Sequence, residues 1–586
     1  MLDARRNDPA APFVNTAPLD RWLGATSARA QAWPRLALVL LCLGLFLPGF
    51  FNTPATDRDE SRFAQATRQM VESGDYIRIR VGDEDRNKKP VGIHWAQAAS
   101  VHLLEATGLG TRRDIWAYRI PSMLGAILAV LATFQFGRIL VGRRAALLAA
   151  TMLAGCMVVM VEAHIAKTDA ALLASITAAM GLFGAAYLRP GLFTARHAAA
   201  FWVILGIGVL LKGPIAPMVP LLAGLTLAIM DRRTGANGAV GNGWVHAPWL
   251  AALRWRWGLP LMLLMVLPWM IAIGIATEGR FFAQAIGGDM LGKVGSGDEK
   301  HWGPPGFYIL TFLVAAFPAG FLVVLGLRSA WMQRRQPVTR FLLAWVVPTW
   351  LVFEAVATKL PHYTMPTYPA LMLLGAVWAM DPLRHVPPRW LRWGAKLAVA
   401  GVAFGLGIVA LVVPWVVTRH EPLGALLALP AAGLLVWLVW REMDCAHWAR
   451  AAALGVVAAI PLYVSVMQLT FPRIEALWIA PRLEAILARE APGLPAAQFG
   501  ITGHAEPSTL FHIGGDLHLL RRGEDAARFL SDGPARVVAV GNRAQDDFAR
   551  EAAALGLAVT EIGAVDGFNY TRGRPITLRI FKVSAP

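Results

Sequence analysis

The sequence predicts a polytopic α-helical membrane protein with about thirteen transmembrane helices and a C-terminal soluble α/β domain. Three observations carry this. Of 586 residues, 56% are hydrophobic and 16% charged, against about 25% charged in soluble domains, and the mean hydropathy is +0.49. Apolar runs able to cross a hydrocarbon layer of about 30 Å recur from residue 36 to near residue 470. Beyond that point short β-type runs take over, punctuated by Gly and Pro. The composition excludes intrinsic disorder and an ordinary soluble enzyme.

Residues 1–35 read as a cytoplasmic leader rather than a cleavable signal, because no small-x-small site follows the first span. Spans are expected to begin near Leu36, Tyr118, Ala145, Asp169, Ala198, Ile215, Gly258, Phe307, Phe341, Pro366, Leu397, Pro422 and Ala451. The region 36–469 thus forms the transmembrane domain, with large outward loops at 52–117 and 277–306. Arginines set the orientation. Arg35 and those of the leader precede the first span. Arg143-Arg144, Arg189 with Arg196, Arg232-Arg233, Arg334-Arg335, Arg389 with Arg392, and Arg441 with Arg450 follow alternate spans. Placing all of them in the cytoplasm gives a consistent path. The net charge of +17 is then a matter of topology. No groove-reading motif accompanies it, so nucleic acid is not an expected partner. Cys42, Cys156 and Cys445 lie in or beside apolar runs without metal-ligand spacing. In 470–586, apolar runs at 536–541 and 576–581 flank a helical pattern around Gln545–Leu555, which reads as a small extramembrane α/β domain with no chemistry of its own.

The candidate chemistry lies at the outward ends of the spans. Asp57, Arg58, Asp59, Glu60, Ser61, Arg62 and Phe63 follow the first span, and 63–72 reads as an amphipathic helix lying at the interface. Asp59 and Glu60 suit a helix N-terminus. A carboxylate there can equally act as a base toward an acceptor hydroxyl, and Arg62 can hold a phosphate. Lys88 and Lys89, before Pro90, suit either membrane lipid headgroups or a specific phosphate, and His94 reads as structural. Lys167, Asp169, Lys212, Glu354, Lys359, His362 and Tyr363 sit at helix ends, where ionisable groups are functional suspects by default. Lys212 has no acidic neighbour in sequence, so a lipid phosphate would compensate it; snorkelling to the interface is the plain alternative. The 277–306 loop, with Asp289, Lys293, Asp298, Glu299, Lys300 and His301, could admit an amphiphilic substrate or simply be solvated.

In order, the chain shows Asp-Glu-x-Arg-Phe-Ala after the first span, Lys-Pro before an aromatic helix, Thr-Asp at a helix start, Leu-x-Lys-Gly-Pro, and Lys-Leu-Pro-His-Tyr followed by Pro-x-Tyr-Pro-Ala. This set resembles the lipid-linked-sugar glycosyltransferases of the GT-C fold, in the subgroup of bacterial aminoarabinose (lipid A) transferase and the protein O-mannosyltransferases. The resemblance spans roughly residues 36–470 and is specific only as a set. It implies that a sugar on a polyprenyl phosphate carrier is attacked at its anomeric carbon by an acceptor, usually with inversion. It places the key acid on Asp59 and a later helix-start acid on Asp169. The carrier-phosphate site falls on Arg62, Lys212 and Tyr363, and the Lys-Pro lysine on Lys89. Glu60, Lys88, Lys359 and His362, beside these motif residues, complete the expected site.

The expected protein is therefore a multi-pass enzyme of the bacterial inner membrane with its active site facing the periplasm. Its expected partners are a polyprenyl-phosphate sugar donor, lipid A or another cell-envelope glycan as acceptor, and membrane lipids. Protein O-mannosylation is the alternative within the class. A lipid or sugar transporter is the alternative outside it, weakened because the ionisable residues cluster at one face and no internal repeat is visible. No cofactor is certain. In the aminoarabinose transferases an acidic residue linked to a metal commonly precedes the Lys-Pro lysine. Lys88 stands there instead, which makes a divalent metal doubtful.

Overall fold

The computed structural model describes residues 32–234, 247–291, 303–418, 423–533 and 535–584. Leader residues 1–31 and loop residues Lys293, Asp298, Glu299, Lys300 and His301 lie outside these. The side chains of Arg232, Arg233 and Asp289 are likewise not described.

Each expected span has a helical counterpart, but the number of crossings is not fixed by them. Among the described residues, eight helices are long and apolar enough to cross a membrane, or nine if Arg143–Gly155 and Met157–Ala163, bent by 61°, form one span. Shorter apolar helices cover Pro34–Phe46, Ile215–Asp231, Phe321–Met332 and Met365–Met380. The bend at Cys156 interrupts the helical ladder, and the freed Met157 N–H donates to the Phe317 carbonyl at 3.1 Å. Broken backbone at membrane depth is tolerated where protein re-satisfies it in this way. One hydrophobic core runs through the bundle, from Leu38 on the first helix to Tyr463 on the last.

The segment after the first helix departs from expectation. Protein packs against it on two sides, where an amphipathic pattern suggests only one. The helix starts at Asp59, as its acidic start suggests, and runs to Ser73, with Glu60, Phe63, Gln65, Thr67, Arg68 and Met70 among its buried side chains. Beneath it lies the Gly92–Thr107 helix, where the Thr67 hydroxyl meets His94 Nδ1 and Gln97 Oε1 at 2.7 Å each. Burial lowers the His94 pKa to about 3, helped by the Arg86 charge, so the ring is neutral. Above it lies the C-terminal region, where Arg68 Nη1 donates to the Phe511 carbonyl at 2.6 Å.

That region holds five of the seven strands among the described residues. A hairpin of β1 (Arg80–Val81) and β2 (Glu84–Asp85) precedes them in the 52–117 loop. The strands β3 (Phe499–Thr502), β4 (His518–Leu520), β5 (Val537–Gly541), β6 (Val559–Asn569) and β7 (Arg574–Val583) form one sheet in the order β4-β3-β5-β7-β6. The β3 strand is parallel to β4 and β5, while β5-β7 and β7-β6 are antiparallel. Helices cover both faces: Ile479–Glu490 packs over one apolar cluster, Gly523–Ser531 and Gln545–Ala554 over the other. Val81 of the hairpin packs against the first cluster. Phe511 enters a cluster with Ala64 and Tyr118. The sheet is thereby seated on the helix that begins at Asp59.

Candidate active site

The Asp59–Ser73 helix begins abruptly because Arg58 takes a left-handed backbone, φ 67°. This presents two adjacent carboxylates to different surroundings. Glu60 is buried against Arg119, with Nε to Oε1 at 2.7 Å and Nη2 to Oε2 at 3.0 Å. It also accepts from the backbone N–H of Thr56 at 2.9 Å and of Ala166 at 3.1 Å. Burial alone would raise its pKa, but Arg119 and the Thr56 hydrogen bonds outweigh it and hold the carboxyl below its ordinary value. Asp59 is open, its side chain 58% exposed, 3.7 Å from Arg86 and 4.0 Å from Arg62. Arg86 is steadied by stacking 4.4 Å over the Phe63 ring.

The Lys-Pro segment reaches this point through a close backbone approach. At Gly92 a side-chain methyl would lie 2.7 Å from the Leu210 carbonyl, so only glycine lets the start of the Gly92–Thr107 helix touch the end of the Ala195–Lys212 helix. Phe63, Ile93 and Leu211 close the contact from the sides. The helix then stops at Gly213, φ 64°, beside Pro90. Three motifs far apart in sequence thus meet: the Asp59 helix, Lys89-Pro90 with Gly92, and Leu210 to Gly213.

Lys212 is not left waiting for a lipid phosphate, as its sequence neighbours suggest. Its ammonium pairs with Asp169. Asp169 also lies 3.7 Å from Lys167 and 3.7 Å from His362 Nε2. A second carboxylate, Glu162, stands 2.9 Å from Lys167 and 3.4 Å from His362 Nδ1. The Tyr363 ring lies beside this network, 5.6 Å from the Lys212 ammonium. Asp59 is near enough for its charge to act on Lys167. The network and the Asp59 cluster are therefore parts of one electrostatic neighbourhood.

Two expected residues are occupied elsewhere. Glu60 is committed to Arg119. Lys359 donates to the carbonyls of Glu354 at 2.6 Å and Val356 at 2.8 Å, closing the end of the Pro337–Ala355 helix. Lys89 is half-buried and Lys88 exposed. Among the described residues no group of three or more His, Cys, Asp and Glu is arranged to hold a metal ion. With a lysine at position 88, the donor set there does not suit a divalent cation.

Sequence reasoning passed over Arg119 and Glu162, which anchor the arrangement, and gave Arg86 no role. The first two had a signal: each is an ionisable residue inside an otherwise apolar helix. Contacts from the C-terminal region had none. Tyr570 Oη accepts the Asp57 N–H at 2.6 Å, and Arg58 donates to the Thr571 carbonyl at 2.7 Å. These contacts join residues more than five hundred positions apart.

Residues 88–253 match the family model described as dolichyl-phosphate-mannose-protein mannosyltransferase. The undecaprenyl phosphate-α-4-amino-4-deoxy-L-arabinose arabinosyl transferase of Pectobacterium carotovorum is 27% identical over 424 residues, 70% of each chain. That of Pseudomonas aeruginosa is 27% identical over 462 residues, 75% of this chain and 77% of the relative. The crystal structure of ArnT from Cupriavidus metallidurans bound to undecaprenyl phosphate superposes with a TM-score of 0.69 at 17% identity, covering 94% of this chain and 98% of that one. Taken with the ordered motifs and the site they build, these likenesses make the chain a multi-span membrane glycosyltransferase of the GT-C fold that resembles the aminoarabinose transferases.

Proposed function

We propose that the protein transfers a sugar from a polyprenyl-phosphate carrier to lipid A, or to another cell-envelope glycan, at the periplasmic face of the bacterial inner membrane. The observation that carries this reading is the meeting of the Lys89-Pro90 and Leu210–Gly213 segments beside an exposed carboxylate, Asp59. In the reaction an acceptor oxygen bonds to the anomeric carbon and the bond from that carbon to the phosphate oxygen breaks. The electron pair leaves on polyprenyl phosphate, which gains charge. Fixed cations outside bulk water stabilise that charge, and removing one such donor costs about 10²–10³ in rate. Arg62, Lys89 and Lys212 supply these cations in our reading, with Tyr363 beside the phosphate. The phosphate draws Lys212 from Asp169, which His362 and Lys167 continue to compensate. Asp59 orients the acceptor and takes its proton when that acceptor is a hydroxyl. A lipid A phosphate is already ionised and needs orientation only. Glu60 and Lys359, assigned to the site on their sequence positions, act instead through the backbone they hold. In the same reading the domain limits are 36–469 for the transmembrane transferase and 470–586 for a periplasmic domain, with residues 1–35 cytoplasmic.

Protein O-mannosylation is kept as a second reading because the family description matched by residues 88–253 names it. The test is transfer by the purified protein in lipid nanodiscs, with undecaprenyl-phosphate aminoarabinose as donor and lipid A as acceptor, read by mass spectrometry. The reading predicts lipid A heavier by one sugar, and a loss of about 10²–10³ in rate for Lys212→Met. Transfer from a polyprenyl-phosphate mannose to a Ser/Thr peptide, with none to lipid A, replaces it by the second reading. No transfer to either acceptor overturns both.

A further inference from the structure

A second cationic recess lies at the opposite end of the bundle. The Arg389–Thr418 helix begins beside the turn that joins Ala428–Asp444 to Trp448–Tyr463. Between them is a cavity of about 130 Å³ lined by Arg389, Arg392, Trp393, Lys396, Asp444 and Trp448. It is remote from Asp59. The helical stretch Trp448–Arg473 leads away from it to Gln468, whose side chain accepts the Gly49 N–H on the approach to the Asp59 helix. At 1.5 Å per residue that path is about 30 Å long.

The cations around the recess fall into two groups. Lys396 is held by Asp444 at 2.5 Å. Arg441, His447 and Arg450 lie 3.4, 3.1 and 3.4 Å from the buried Glu442. Arg389 and Arg392 have no carboxylate within ion-pair distance among the described residues, and Arg392 Nε is buried without a hydrogen-bond partner. A buried, unpartnered guanidinium nitrogen is costly unless something accepts from it. Arg389 is also the first residue of a 30-residue helix, whose N-terminal N–H groups and dipole favour an anion.

The surroundings point to what that anion is attached to. Trp390 and Trp393 are 73% and 55% exposed, as expected of side chains at headgroup depth. Trp393, Leu397, Phe404 and Ile408 follow one another at helical spacing and are all exposed, forming an apolar track along the same helix. We propose that this recess binds the phosphodiester headgroup of an anionic phospholipid, with Arg389 and Arg392 on the phosphate and the acyl chains along the Trp393–Ile408 track. The Asp444 carboxylate at its wall favours a headgroup carrying hydroxyls that donate to it, such as glycerol.

Native mass spectrometry of the full chain tests this, with phosphatidylglycerol, phosphatidylcholine and inorganic phosphate as probes. The first phosphatidylglycerol is expected to bind about thirtyfold more weakly to an Arg389→Gln/Arg392→Gln variant, as loss of two headgroup-level cations implies. Phosphatidylcholine binding should be the same in both proteins. The Arg389→Lys/Arg392→Lys variant should keep most of the phosphatidylglycerol affinity, which separates charge loss from misfolding. Equal phosphatidylglycerol binding by wild type and the Gln variant overturns the proposal. So does equal retention of phosphatidylcholine and phosphatidylglycerol by the wild type. Displacement of the first phosphatidylglycerol by inorganic phosphate, dependent on the two arginines, overturns the lipid source and assigns the recess to free phosphate.

Discussion

Asp59 and Glu60 are neighbours of the same chemical type, and residue type alone does not tell which of them meets a substrate; only the motif resemblance singles out Asp59. Burial separates them. The Glu60 side chain is 0% exposed and carries Arg119 with it, while that of Asp59 is 58% exposed and faces two arginines. Removing one member of a buried ion pair leaves the other charge uncompensated, at about 3–5 kcal/mol. Glu60→Gln should therefore lower unfolding stability by that order, and Asp59→Asn should change it by less than about 0.5 kcal/mol while abolishing transfer. Comparison of the two variants by thermal unfolding and a transfer assay checks both halves. Asp57, two residues earlier, gives a pH test. Burial, opposed by hydrogen bonding to Ser508 and aided by the Glu506 charge, pushes its pKa up to about 6. Between the ordinary carboxylate range and that value the folded protein holds a proton that the unfolded chain has lost, so stability falls as pH rises through the window. Asp57→Asn removes this dependence. It should be more stable than wild type by about 3 kcal/mol above about pH 7 and equal to it near pH 3, below both carboxyl values, read from unfolding midpoints across pH.

At the scale of elements, the apolar runs were legible because hydrocarbon thickness sets their length. The starts expected near Asp169 and Ile215 coincide with observed helix starts. Where helices break was not legible, because the break at Cys156 is satisfied by the Phe317 carbonyl, in a turn far along the chain. The burial of the helix expected at the interface was not legible for a related reason. Its amphipathic pattern is real, but the outer face is covered by the Pro507–Ile513 helix, some four hundred residues later in the chain. Gly92 shows how an element junction bears on the site. Gly92→Ala must move the Leu210 backbone or its own helix. Overpacking of this kind costs about 1–3 kcal/mol. The variant should raise the KM for the carrier more than it lowers kcat, since the Lys89 and Lys212 segments part while Asp59 stays in place. A kcat-only defect would place this junction outside the carrier site.

At the scale of the whole molecule, the ordered motifs made the transmembrane site largely legible, since Asp59, Arg62, Lys89, Asp169, Lys212 and Tyr363 all lie in segments that converge. The part played by the C-terminal sheet was not, because its contacts through Tyr570 and Thr571 involve a hydroxyl and a carbonyl with no motif around them. That sheet sits over the Asp57–Arg58 turn as a clamp on the start of the Asp59–Ser73 helix. Tyr570→Phe should weaken the clamp by about 1 kcal/mol, one hydrogen bond, and increase protease cleavage in the 52–58 turn. Unchanged cleavage would remove the clamp from the account. The central claim, that this converging site moves a sugar from a lipid carrier to lipid A, is tested most directly in cells. Mass spectrometry of lipid A is compared between a deletion strain carrying the wild-type gene, the deletion alone, and the deletion carrying Asp59→Asn. The account predicts a sugar-sized mass on lipid A with the wild-type gene and its absence in the other two. Lipid A of unchanged mass in all three strains would contradict it.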